Sequence, residues 1–327
     1  MAVGLATILQ AQETAQETAQ ETAQERGGGG PVDRDALVIE VGLNEAAMRM
    51  QNPHVAYSPA ECASDATSCA EAGAAIVHWH ARDAATGDQR LAAADLYGEA
   101  LSAMAPSGIL AYPTYPIDDD TVDGRLGHCF TLRRDHGLEM MPLDLGSVTT
   151  VIWDQASASF PFPDIAPSVV TNPLAFTLGA LERGREVGLV PTFGVFDLGG
   201  TRTLALLLEA GLVREPVMVK FFLSGSWAVG PFPSEAALDF HLTQLPAGLD
   251  VEWIVVPYSL DDPVLIERLC RHAIELGGGI RVGIGDNPTA DPDATNAAWV
   301  ERAVGWAEAA GRPVASADDV RARIRIR

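Results

Sequence analysis

Lysine is nearly missing from this chain. Lys220 is the only one among 22 basic residues, set against 44 Asp and Glu. The resulting formal charge of −22 excludes sequence-independent nucleic-acid binding, which needs Lys and Arg to neutralise phosphates. An anionic ligand must therefore meet a local basic patch. Cysteine is sparse as well: Cys62, Cys69, Cys129 and Cys270 show no C-x-x-C spacing and are too few for a disulfide framework, so a reducing, cytoplasmic compartment is expected. No apolar run approaches the roughly 20 residues that span a bilayer, and the first ten residues lack a basic region, so neither membrane association nor secretion is expected. No G-x-G-x-x-G follows the first apolar run, which removes the main support for a dinucleotide fold.

What is present is apolar and periodic. With 47% hydrophobic residues, 327 residues can bury a full core of the size usual for an α/β barrel. Residues 11–26 repeat Ala-Gln-Glu-Thr and run into four glycines, a low-complexity composition that cannot bury an apolar face, so residues 1–34 are expected to be a disordered tail and 35–327 the catalytic domain. From Asp35 onward, β-rich runs at 37–43, 75–80, 109–114, 140–145, 190–196, 217–223, 251–256 and 280–283 alternate with helical patterns. The helices are expected after Ser58-Pro59-Ala60-Glu61 and near 93–105, 126–136, 173–187, 201–210, 234–245, 263–276 and 293–311. Eight such units predict a (β/α)8 TIM barrel with its active site at the carboxyl ends of the strands, and a doubly wound open sheet is the competing architecture.

The polar residues that finish each strand are then the functional candidates. His78 and His80 sit one residue apart at the end of an apolar run, so a strand places both on one face with Cα atoms about 6–7 Å apart. That spacing suits two ligands of a divalent metal; the competing reading is a polar strand end whose histidines cap backbone. Glu45, just past the first strand, could complete a two-histidine, one-carboxylate set, or simply cap a loop. Arg281 and Asp286 at the last strand read as an ion pair, the carboxylate a base and the guanidinium a holder of substrate carboxylate, or as a tie between strand and loop. Lys220 lies in an apolar run and should point into the barrel, as a Schiff-base amine or as a buried cation paired with a carboxylate. Arg82 and Thr114, at the ends of the second and third strands, join Lys220 as candidates for holding substrate. Trp79 and Phe221 should face the outer helices. Tyr115, Trp227 and Phe232 predict a partly apolar pocket.

Several of these segments resemble one family. They are Leu43-Asn44-Glu45 through Asn52-Pro53, Ser58-Pro59-Ala60-Glu61, His78-Trp79-His80-Ala81-Arg82-Asp83, Val190-Pro191, Arg281-Val282-Gly283-Ile284-Gly285-Asp286-Asn287 and Gly311-Arg312-Pro313-Val314-Ala315. Their pattern is similar to the β-keto acid cleavage enzymes, over essentially everything after the tail. The resemblance implies a zinc-dependent (β/α)8 barrel, and a homo-oligomer, that condenses a small-molecule β-keto acid with acetyl-CoA to give acetoacetate and a new CoA thioester. It implies His78 and His80 as ligands to Zn2+ or another divalent metal, and Arg281 with Asp286 as the catalytic pair. CoA itself has no signal in the sequence and rests on the resemblance.

The departures are as informative as the matches. Where the family reads Arg-x-Gly-x-Glu-Asp-Asn, with the glutamate as third zinc ligand, this chain has Gly285; where it tends to read Pro-Glu-x-Glu, this chain has Pro191-Thr192-Phe193-Gly194. Pro113-Thr114 replaces a serine-threonine site. Glu45 is the expected replacement ligand, with Asp144 in reserve. A CoA-independent carbon–carbon lyase or hydrolase on the same barrel, and a catalytically inactive relative, are the competing functions.

Overall fold

Parallel strands and helices alternate along the chain in a computed structural model that describes residues 34–154, 156–161 and 169–326. The expected tail lies, apart from Arg34, outside the described residues. The strands are β1 (Ile39–Gly42), β2 (Ile76–Trp79), β3 (Leu110–Pro113), β4 (Met140–Leu145), β5 (Val190–Val195), β6 (Val217–Ser224), β7 (Val251–Tyr258) and β8 (Gly279–Val282). All pair in parallel, in the spatial order β3-β2-β1-β8-β7-β6-β5-β4, and β3 approaches β4 so that the sheet is a nearly closed barrel. This is the TIM-barrel architecture the sequence predicts.

Alternation along each strand divides the residues between two cores. Ile39, Val41, Val77, Trp79, Leu143, Phe193, Val219, Phe221 and Val282 pack outward against the helices. Val38, Ile76, Leu110, Met140, Met218 and Ile254 fill the lower lumen. Trp79 meets Tyr97 of the helix Ala94–Met104 at 5.4 Å between ring centroids, so it serves the outer layer as expected.

Helix α1 (Pro59–Ala72) starts on a full capping box, with the Ser58 hydroxyl accepting from Glu61 N and the Glu61 carboxylate accepting from Ser58 N. The helix of the third unit, Val122–His136, begins four residues before its expected start. Thr121 caps it by accepting from Gly124 N, and the glycines at 124 and 127 had hidden the first turn from a propensity reading. A short C-terminal helix, Ala317–Arg323, was not foreseen; with Ala315 and Ile324 its Val320 seals the lower lumen. Over the mouth, Val148–Thr149 pairs with Val169–Val170, and Val151–Ile152 pairs with Trp227–Ala228. Among the described residues no helix is long and apolar enough to cross a membrane.

Candidate active site at the carboxyl ends of the strands

Glu45, His78 and His80 converge at the tops of β1 and β2. The group is the one set of three among the described residues that could hold a metal ion, its ligand atoms lying within 4.8 Å of one another. Glu45 Oε1 is 3.1 Å from His78 Nε2, and Glu45 Oε2 is 2.9 Å from His80 Nε2.

The other nitrogen of each ring decides what this arrangement means. His78 Nδ1 lies 3.1 Å from the Tyr112 carbonyl, which can only accept, so Nδ1 carries the proton. His80 Nδ1 lies 3.0 Å from Gln89 Oε1, and the Gln89 amide is oriented because its Nε2 donates to the Glu45 carbonyl at 2.8 Å. Both Nε2 atoms therefore present lone pairs toward a carboxylate. Three acceptors cannot satisfy one another; they need a cation or additional protons between them. Consistent with this, buried His80 Nε2 makes no aligned hydrogen bond despite its closeness to Glu45. Burial, only partly offset by Glu45, holds His78 well below the ordinary imidazole range and so in the neutral form a metal requires. Burial opposes ionisation of Glu45, and the adjacent Arg281 guanidinium favours it.

The loop that brings Glu45 here is held deliberately. Its φ of +32° is a left-handed conformation costing a non-glycine residue roughly 1–2 kcal/mol. Arg82 offsets that cost: Nη2 donates to the carbonyls of Asn44, at 2.8 Å, and of Glu45, and Nη1 donates to the Gly87 carbonyl at 2.9 Å. The guanidinium named in the sequence as a substrate holder is thus buried and turned to backbone. Asn44 locks the same turn, accepting from His80 N at 2.8 Å and donating to the His80 carbonyl at 3.0 Å.

Arg281 and Asp286 form the expected ion pair, bidentate, with Nη2 to Oδ1 at 2.7 Å and Nε to Oδ2 at 2.9 Å. Arg281 also reaches Glu45 through Nη2 and Glu40 through Nη1, at 3.1 Å, which ties the pair to the histidine cluster. Burial pushes Asp286 up to about 7, with Arg281 pulling it down and Glu45 pushing it up. Below this lies a network only partly read in the sequence. Lys220 Nζ sits 3.6 Å from Glu40 Oε1 and contacts the Tyr112 hydroxyl, which donates to Glu40. Glu40 escaped the sequence reading, although it carries the same signal as Lys220: a charge at an inward position of an otherwise apolar strand. Thr114, at the top of β3, is part-exposed at the mouth, and its carbonyl receives His128 Nε2 at 2.7 Å.

Two glycines explain the departures from the family pattern. A Cβ at Gly285 would lie 2.6 Å from both Asn44 N and Gly42 O, so backbone occupies the place where a glutamate would start. A Cβ at Gly194 would lie 1.9 Å from Asp144 Oδ1, so the neighbouring strand's carboxylate fills the space a residue 194 side chain would need. A cavity of about 590 Å³ opens beside this centre, reaching Asp286, Tyr258 and Trp153.

A family model described as beta-keto acid cleavage enzyme (BKACE) matches residues 36–326. Among curated relatives, the 3-dehydrocarnitine:acetyl-CoA trimethylamine transferase of Rhizobium meliloti (strain 1021) is 26% identical over 298 residues, covering 84% of this chain and 91% of that protein. The 3-keto-5-aminohexanoate cleavage enzyme of Fusobacterium nucleatum is 27% identical over 274 residues, covering 83% and 90%. Among solved structures, apo ObcA superposes with a TM-score of 0.65 at 17% identity, covering 84% of this chain and 66% of ObcA, a likeness of fold.

Proposed function

Because the chain belongs to the beta-keto acid cleavage enzyme family, we propose that it exchanges acyl groups between a β-keto acid and acetyl-CoA, giving acetoacetate and the CoA thioester of the remaining acyl group. The observation that carries this reading is the convergence of Glu45, His78 and His80 as three acceptors beside the bidentate Arg281–Asp286 pair. A three-ligand set would be kept although Gly285 supplies no side-chain ligand, because Glu45 enters from the turn after β1.

The residues divide the work. His78, His80 and Glu45 would hold the divalent ion, which when bound would supply a Lewis acid to the keto oxygen, where negative charge builds when the neighbouring carbon loses its proton or the carbonyl is attacked. Asp286 takes the proton from the carbon between the ketone and the carboxylate and returns it to the enolate carbon released by cleavage, and its position near 7 suits both directions of transfer. Arg281, its donors taken by Asp286, Glu45, Glu40 and Tyr112, keeps Asp286 oriented. Glu40 and Tyr112 hold Arg281 from below, and Lys220 is paired with the same Glu40, which weighs against a Schiff-base role. Among the described residues the cavity lining includes Asp154, Asp261 and Asp262 but no Lys or Arg, which favours entry of the uncharged thioester arm of acetyl-CoA over its phosphates.

The test is metal content and turnover together. Purified protein should carry about one zinc per chain by mass spectrometry, lost in both His80→Ala and Glu45→Gln, and should form acetoacetate from acetyl-CoA and a member of a keto acid panel. Zinc-loaded protein that forms no acetoacetate from any member would sink the acyl-exchange reading; a Glu45→Gln variant that keeps its metal would sink the ligand assignment.

A further inference from the structure

Glu45 and Asp286 sit on two separate loops, at the seam where the first and last strands of the barrel meet. The ladder between β1 and β8 runs only as far as Val41 and Val282, and beyond it Gly285 N donates to the Gly42 carbonyl at 3.0 Å. Glycine lets the loops come this close. A Cβ at Gly42 would lie 2.5 Å from Asp286 Oδ2, and one at Gly283 would run into the Gly42 carbonyl. An approach that glycine permits still has to be fixed by something else.

One buried amide spans both loops. Asn296, inaccessible to solvent at the start of the helix Asn296–Ala309, accepts from Ile284 N on Oδ1 at 2.8 Å. Its Nδ2 donates to the Leu43 carbonyl at 2.9 Å and to Asp65 Oδ2, on α1, at 2.7 Å. Leu43 stands two residues before Glu45 and Ile284 two before Asp286, so a single side chain holds the two loops at equivalent points. The chemistry requires an amide here: a carboxylate of the same shape could not donate, and a hydroxyl has only one proton for two acceptors. Asp65 is half-buried and forms no ion pair among the described residues. Burial pushes its carboxyl up to about 6, and the Asn296 amide is the strongest influence drawing it back. Neither residue lines the cavity beside the site, so neither is placed to touch substrate there.

We propose that Asn296, oriented by Asp65, is a positioning residue that sets the separation of Glu45 from Asp286, and with it the geometry in which a metal ligand and a base address one substrate. The inference takes those two roles from the acyl-exchange reading, whereas the clamp itself belongs to the metal-free chain. It joins α1, the loop after β1 and the loop after β8 through three hydrogen bonds on one side chain, which leaves that amide no unused donor.

The test exchanges the two groups. Asn296→Asp keeps an acceptor for Ile284 N, deletes both donors and sets two carboxylates against each other; adding Asp65→Asn returns an amide donor to that contact. In the metal-free full chain, hydrogen exchange read by mass spectrometry should speed up at least about tenfold over residues 43–47 and 283–287 in Asn296→Asp, with β4 and β5 unchanged, and the double variant should reverse most of the change. In competition with a chelator, zinc should bind about 10–100-fold more weakly to Asn296→Asp and within about fivefold of wild type in the double variant. Met218→Ala is the control, since it loses stability without loosening either loop and should keep its zinc affinity. Asp65→Ala leaves both loop bonds possible and frees only the anchor; it should show the same pattern at smaller amplitude, and it serves where Asn296→Asp does not fold. Unchanged loop exchange in the single variants, an increase spread evenly over the barrel, a double variant no better than Asn296→Asp, or an equal loss of zinc affinity in Met218→Ala would overturn the proposal. Loops loosened by Asn296→Asp and restored in the double variant, in a protein that forms no acetoacetate, would uphold the clamp while rejecting the acyl-exchange reading.

Discussion

The lower and upper lumen of the barrel are made by the same strands and differ by one step of the strand period. On β1 and the residue just before it, Val38 lies below and Glu40 above; on β3, Leu110 and Tyr112; on β6, Met218 and Lys220. All six are essentially inaccessible to solvent. Below, apolar side chains fill the lumen and Val320, Ile324 and the Arg323–Glu252 ion pair close it; above, Glu40, Lys220, Arg281 and Asp286 are buried and find their partners inside. The difference teaches that height along the barrel axis, rather than burial, sorts stability from chemistry here, as expected for a fold whose loops at one end carry function.

The comparison can be broken most forcefully at its top. Replacing Asp286 by Asn keeps shape and removes the base, so kcat should fall about 10²–10⁴-fold with the fold intact by circular dichroism. In the wild type, kcat/KM should rise with pH up to about 7, since the base works only when ionised, and this limb should vanish in the variant. A variant with near-normal kcat would move the proton transfer elsewhere. At the bottom, Met218→Ala should cost about 2–5 kcal/mol of stability, read by urea denaturation, with metal stoichiometry unchanged; loss of metal there would mean that the two layers are not separable.

Smaller effects sharpen the boundary. Gln89→Ala removes the acceptor that fixes the His80 tautomer and should weaken zinc about 10–100-fold in competition with a chelator, leaving stability nearly untouched. An unchanged zinc affinity would show that His80 is oriented by other means. A further effect lies outside the lumen, where His241 is buried against the Thr201 hydroxyl at 2.7 Å and burial pushes it down to about 4. The unfolded chain takes up that proton near 6.5 and the folded protein does not, so stability should fall as pH drops from about 6.5 toward 4. His241→Asn should flatten this decline, and parallel acid slopes in the two proteins would refute the assignment.

Much of this was legible in the residues. The strand runs, the caps at Ser58 and the turn residues are local, and a period of two with helical spacing between identifies parallel units without any knowledge of contacts. His78-x-His80 was readable because two ligands on one strand have a fixed separation, and Arg281 with Asp286 because they flank one short loop. Glu40 was assigned no role, and Asp144 only that of a reserve metal ligand, for the opposite reason. Their partners, Arg281 241 residues away and Tyr115 on a neighbouring strand's loop, are neighbours only after the barrel closes.

The sequence by itself determined the barrel, the histidine pair and the absence of glutamates at 194 and 285, since these depend on local period and residue identity. Only the tertiary structure decided that Glu45 faces both histidines, that Arg82 serves the Glu45 turn and that Asp144 fills the space above Gly194. Those outcomes depend on which side chains closure brings within a hydrogen bond of one another, and no spacing along the chain encodes that distance.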